Sequence, residues 1–138
     1  MYLDYTGSGI ETVAHLRENG RIVLMFCAFE GPPKIVRLHG RGTVVYPGDS
    51  DFRRLVGLFP ENAGTRSIIR VAVTRISDSC GYAVPYMDFV EHREGLDRHN
   101  EKKGSAALAE YRQKRNAASI DGLPGYHPSD ATATIDAP

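Results

Sequence analysis

Tryptophan, cysteine and net charge are scarce in this sequence. It has no tryptophan, two cysteines, and 17 basic against 17 acidic residues in 138. Without a charge imbalance there is no long-range field to gather a nucleic-acid backbone or an anionic membrane, so neither is expected as a partner. Cys27 and Cys80 stand in unrelated contexts and form no CxxC pair. That argues against a disulfide framework or a structural zinc, and a cytoplasmic setting is expected. The longest apolar run, Ile22 to Phe29, is far too short to cross a bilayer, and no basic segment leading into an apolar stretch opens the chain. His15 and His39 are not spaced with other ligand types in any metal pattern, so no metal is expected.

The residues that are present alternate between strand and helix signals. Met1 to Tyr5 reads as a short strand, and Thr6-Gly7-Ser8-Gly9 ends it. Ser8 and Glu11 have the spacing of a capping box, Ile10, Val13 and Ala14 supply a helical stripe, and Asn19-Gly20 supplies the left-handed stop. Arg21 to Phe29 then has the composition of a strand covered on both faces, at the centre of a sheet.

After the Gly31-Pro32-Pro33 turn, Lys34 to Tyr46 returns as a second long strand. Lys34, Arg37, His39 and Arg41 give it a basic stripe, and Gly40 and Gly42 mark a bend or bulge. Asp49 can cap a second helix carrying Phe52, Leu55, Val56 and Phe59, stopped by Pro60. Ser67 to Ile76 reads as a strand with Ile69, Val71 and Val73 inward, followed by a loop over Ser79 to Pro85. A charged helical segment over about 97–118 is anchored by Leu108 and Tyr111 and broken at Gly104. Residues 1–124 form one domain, and 125–138, poor in apolar residues, are expected to be a disordered tail. The fold class is α+β, mainly β: an antiparallel sheet or small barrel with peripheral helices.

Several stretches, Tyr2 to Thr12 (YLDYTGSGIET), Leu16 to Pro33 (LRENGRIVLMFCAFEGPP) and Arg37 to Gly42 (RLHGRG), resemble the pyridoxamine 5'-phosphate oxidase-like family. A bacterial branch of it also carries Ser79-Cys80-Gly81-Tyr82, Met87-Asp88-Phe89 and Ser119-Ile120-Asp121-Gly122-Leu123-Pro124. The resemblance implies a six-stranded, FMN-binding split barrel that works as a homodimer, with FMN, or in some branches a deazaflavin or heme, at the subunit interface. It also implies that an N-terminal hairpin with an Asn-x-Ser-Pro-Lys-Gly motif precedes the region where this chain starts. A barrel without those strands has unpaired edges.

The resemblance further implies the site. The turn after the first strand holds the FMN phosphate in the better-known oxidases. Here it keeps a hydroxyl in Thr6, with Gly7 and Ser8 where two cations are usual. Met25 and Phe26 lie in the strand that borders the flavin, and Arg37 retains the arginine of a motif whose glutamine is replaced by Ile35. Tyr82, after Gly81, can stack on the isoalloxazine or donate a hydrogen bond. No side chain stands out as an obligatory acid or base. Two readings follow: an FMN-dependent oxidoreductase acting on an unknown small-molecule substrate, or a non-catalytic flavin-binding or cofactor-free module, including a truncated form. Pyridoxamine-phosphate oxidation itself is not implied.

Overall fold

A computed structural model describes residues 1–131. Four strands form one antiparallel sheet: β1 (Tyr2–Tyr5), β2 (Arg21–Cys27), β3 (Lys34–Val45) and β4 (Thr65–Cys80), in the order β1-β4-β3-β2. The helices are α1 (Glu11–Asn19), α2 (Phe52–Val56) and α3 (Gly95–Arg115). The fold is thus α+β, mainly β, of the split-barrel type, with four strands among the described residues where the family implies six. None of the described helices is long and apolar enough to cross a membrane.

The core forms where β4 passes between two helices. Ile68 and Ile69 are neighbours, so their side chains leave opposite faces of the sheet, yet neither is exposed at all. Ile69 packs with Ile10, Val13 and Leu16 around α1, while Ile68 packs with Val45 and Leu55 against α2. Each such side chain, withdrawn from water, contributes about 1.5–3 kcal/mol. Gly20 ends α1 as expected, in the left-handed conformation at φ 69°, its N–H donating to the Leu16 carbonyl. The bulge expected near Gly40 is also found: the β3–β4 register shifts between His39 and Gly40. There the backbones crowd so closely that a Cβ on Gly40 would lie 2.4 Å from the Ala72 carbonyl oxygen.

Several expectations are corrected. Ser8 and Glu11 form no capping box: α1 begins at Glu11 with no side-chain cap, and the Glu11 carboxylate instead accepts the Ile120 N–H at 3.0 Å. Asp49 does not cap α2 but closes the turn before it, its carboxylate accepting the Tyr46 N–H at 2.7 Å. β2 is an edge strand rather than the sheet's centre, a position held by β3 and β4. β4 runs from Thr65 to Cys80, beyond the expected Ser67–Ile76 in both directions, and Val73 is exposed.

The break at Gly104 is present, with φ 72° inside α3. Residues 125–131 do not form a loose tail. Tyr126 is buried in the α1 cluster, its N–H donates to the Asn116 carbonyl, and Arg17 pairs with Asp130 at 2.7 Å. The rest of the expected tail, 132–138, lies outside the described residues.

Candidate functional site

The turn after β1 is held from the inside. Thr6 is 2 % exposed, its N–H donates to the Gly64 carbonyl, and its hydroxyl accepts from Arg112 Nε at 2.8 Å. Burial lowers the Arg112 pKa from its ordinary value. The Gly7 carbonyl accepts from the Asn116 amide at 3.0 Å, and the Gly9 carbonyl from Arg66 at 2.9 Å. Arg66, 4 % exposed, also grips Asp4 of β1 with both prongs of its fork, at 2.8 and 3.0 Å, and donates to the Asn116 side-chain oxygen at 2.7 Å. Beside the turn lies a small cavity of about 130 Å³, lined by Thr6, Gly7, Ser8, His99, Lys103 and Tyr111 among others.

The other end of the sheet differs. Beyond the bulge, Met25 pairs with Arg37, and Arg37 with Ser77, so these three share one face; Phe26, Val36 and Asp78 share the other. Arg37 donates to the Ser79 hydroxyl at 2.9 Å, and His39 Nε2 lies 3.1 Å from the Ser77 hydroxyl. A guanidinium carries five N–H donors, so Arg37 keeps most of its capacity for a carbonyl or an anion. Met25 and Phe26, on opposite faces, are 59 % and 56 % exposed, and Ile76 is 69 % exposed.

Tyr82 stands in the loop after β4 and is among the most exposed residues. With Pro33, Val84 and Tyr86 it borders a cavity of about 320 Å³. Gly81 does permit a close backbone approach, but to the chain itself: a Cβ there would lie 2.8 Å from the Lys34 nitrogen. The expected basic stripe divides. Lys34 pairs with Asp78 at 3.2 Å, and Arg41 donates to the Asn19 carbonyl at the end of α1, which leaves Arg37 and His39 together on one face.

A third grouping was not anticipated. Glu11, His15 and Asp121 bring one ligand atom each within 4.8 Å of one another. Sequence spacing shows no metal pattern around His15, but the fold brings these two carboxylates beside it. Glu11 shares its helical face at i−4, and Asp121 arrives from 106 residues away, a separation that carries no sequence signal.

The chain is 36% identical, over 141 aligned positions, to the pyridoxamine 5'-phosphate oxidase family protein ustO of Aspergillus flavus. Over most of its length the chain is similar to a member of the pyridoxamine 5'-phosphate oxidase family. The alignment covers 91% of this chain and 57% of that relative, so the chain spans little more than half of the relative's length. No family model matches the chain, and no solved structure does.

Members of this family commonly bind flavin, and the two ends of the sheet suit that differently. At the far end, Arg37 offers open donors beside exposed Met25, and Tyr82 offers an aromatic face; this suits a planar, polar-edged ring system. At the turn, the Thr6 hydroxyl is shut in and already accepts from Arg112, so it suits a phosphate poorly. Arg66 and Arg112 are already engaged there, and His99 and Lys103 of α3 line the small cavity beside it. Thr6 follows Tyr5, which pairs with Thr65, whereas Arg37 pairs with Ser77. Twelve positions of β4 separate these pairings, about 40 Å along an extended strand at roughly 3.3 Å per residue. The cavity beside Thr6 includes none of Met25, Phe26, Arg37 and Tyr82. Arg66, Arg112 and Asn116, which organise the turn, were missed in the sequence. Their only local signal was Asp4, an acid placed in an otherwise apolar strand.

Proposed function

We propose that this chain is the core of an FMN-dependent oxidoreductase that works as a cytoplasmic homodimer on a small-molecule substrate. The observation that carries the reading is the far end of the sheet, where Arg37 of β3, with open donors, pairs with exposed Met25 of the edge strand β2, and Phe26 of that strand stands exposed on the other face. Soluble monomers rarely leave such surface uncovered. A second copy would bury it and would bring its own Thr6 turn towards the first copy's Arg37, so that residues distant along β4 could meet on one ligand. Arg37 would orient the ring's polar edge, Met25 and Phe26 would exclude water, and Tyr82 would cover one face. Bound flavin supplies the redox chemistry, and the protein positions and tunes it.

Purified protein titrated with FMN tests this. Saturable binding at micromolar FMN, followed by bleaching with a nicotinamide donor, is the expected result. Absence of binding removes the cofactor assignment, and an absorbance maximum shifted to that of a deazaflavin replaces it. Flavin that binds but resists reduction supports the second reading, a non-catalytic module, which the engaged Thr6 hydroxyl favours.

A further inference from the structure

We propose that Glu11, His15 and Asp121 bind a divalent transition-metal ion of the zinc class, which fastens α1 to the turn after α3. Glu11 and His15 are four residues apart and project from one face of α1. Asp121 is delivered by a turn with its own supports. The Ser119 carbonyl accepts the Gly122 N–H at 3.0 Å, the Ser119 hydroxyl accepts the Leu123 N–H at 3.1 Å, and Gly122 takes φ 78°. The Glu11 carboxylate accepts the Ile120 N–H at 3.0 Å and so locks this turn to the helix.

The distances suit a metal. His15 Nε2 and Asp121 Oδ2 are 3.2 Å apart. Two ligands of a tetrahedral zinc, with bonds of about 2.0–2.2 Å, stand roughly 3.3–3.5 Å from each other. The remaining separations, all within 4.8 Å, need only a small side-chain rotation.

The local charge points the same way. Neither Glu11 nor Asp121 has a lysine or arginine partner among the described residues. Glu11 Oε2 is shut off from solvent with no hydrogen-bond partner. A carboxylate oxygen left in that state is costly, and a cation would supply what it lacks. One imidazole nitrogen with two carboxylates selects zinc, cobalt or manganese over calcium and magnesium, which prefer all-oxygen shells. The exposed side chains of His15 and Asp121 leave room for water to complete the coordination. The site contains none of the residues assigned to flavin, so either reading can fail alone.

Chelator-treated protein is titrated with Zn²⁺, and separately with Co²⁺, whose visible bands report its coordination. The expected result is one equivalent bound at micromolar affinity, with a melting temperature raised by several degrees at saturating Zn²⁺. His15→Ala and the isosteric Asp121→Asn should each weaken binding about tenfold or more. His127→Ala should leave it unchanged. Metal-free melting of each variant separates lost binding from lost folding. Absence of stoichiometric binding, or binding indifferent to both His15→Ala and Asp121→Asn, overturns the proposal.

Discussion

The two ends of the sheet share β3 and β4, yet they treat neighbouring side chains in opposite ways. At the near end, Ile68 and Ile69 face opposite sides and both are wholly buried, because α1 covers one face and α2 the other. At the far end, Met25 and Phe26 also face opposite sides, and both stand more than half exposed. The polar groups follow the same division. Arg66 at the near end spends its guanidinium on Asp4, Gly9 and Asn116, while Arg37 at the far end makes, among the described residues, a single bond to Ser79. One end completes itself within the chain. The other has the composition of a core and the environment of a surface, as expected of a segment that is covered by something else.

The largest expected effect tests whether the near end is as self-sufficient as its contacts suggest. Arg66→Ala leaves Asp4 and Asn116 without their partner in a buried setting and should cost about 3–5 kcal/mol, read as a fall in the urea midpoint. Arg37→Ala, at the exposed end, should change stability by less than about 0.5 kcal/mol. Equal losses in the two variants would erase the distinction between the ends.

Next in size is the effect on association. Phe26→Asp places a charge on the exposed edge strand, where it meets solvent in the monomer but buried surface in a dimer. It should weaken self-association by about ten- to a hundredfold in sedimentation equilibrium while leaving the urea midpoint of the monomer nearly unchanged. A protein that is monomeric before the substitution contradicts the account of the far end and the homodimer with it.

What could be read in the sequence followed this division only in part. Signals that act within a few residues were legible: the Asn19-Gly20 stop, the bulge at Gly40 and the break at Gly104 all rest on glycine's access to conformations or contacts closed to other residues. β2 was misplaced for a different reason. An apolar run states that a strand is to be buried, but not whether its own chain or another surface does it, so Arg21–Cys27 read as a sheet centre and is an edge. The Ser8–Glu11 spacing matched a capping box, but a longer-range partner, the Ile120 N–H, took the carboxylate. The same blindness to distance hid Arg66 and Arg112 behind the Thr6 turn and hid Asp121 beside His15. It also made Gly125 and Tyr126 look like tail, although a Cβ on Gly125 would lie 2.6 Å from Ile10 Cγ2 in the core. The family-derived site residues Thr6 and Arg37 are both present, at opposite ends of β4.

The smallest effect probes the near end through pH. Tyr46 packs against the α1 cluster with the Arg17 guanidinium 5.0 Å from its ring centre, and burial pushes its phenol up to about 12. In the unfolded chain the same phenol ionises near its ordinary value of 10.0. Between those values the unfolded state binds fewer protons than the folded one, so the free energy of unfolding must fall as pH rises. The contribution is fully present below pH 10 and is lost towards about 12. Tyr46→Phe should flatten that part of the alkaline slope in urea unfolding while changing stability at neutral pH by less than about 1 kcal/mol. An alkaline slope that survives Tyr46→Phe unchanged would mean that the near end does not shut this phenol away from water.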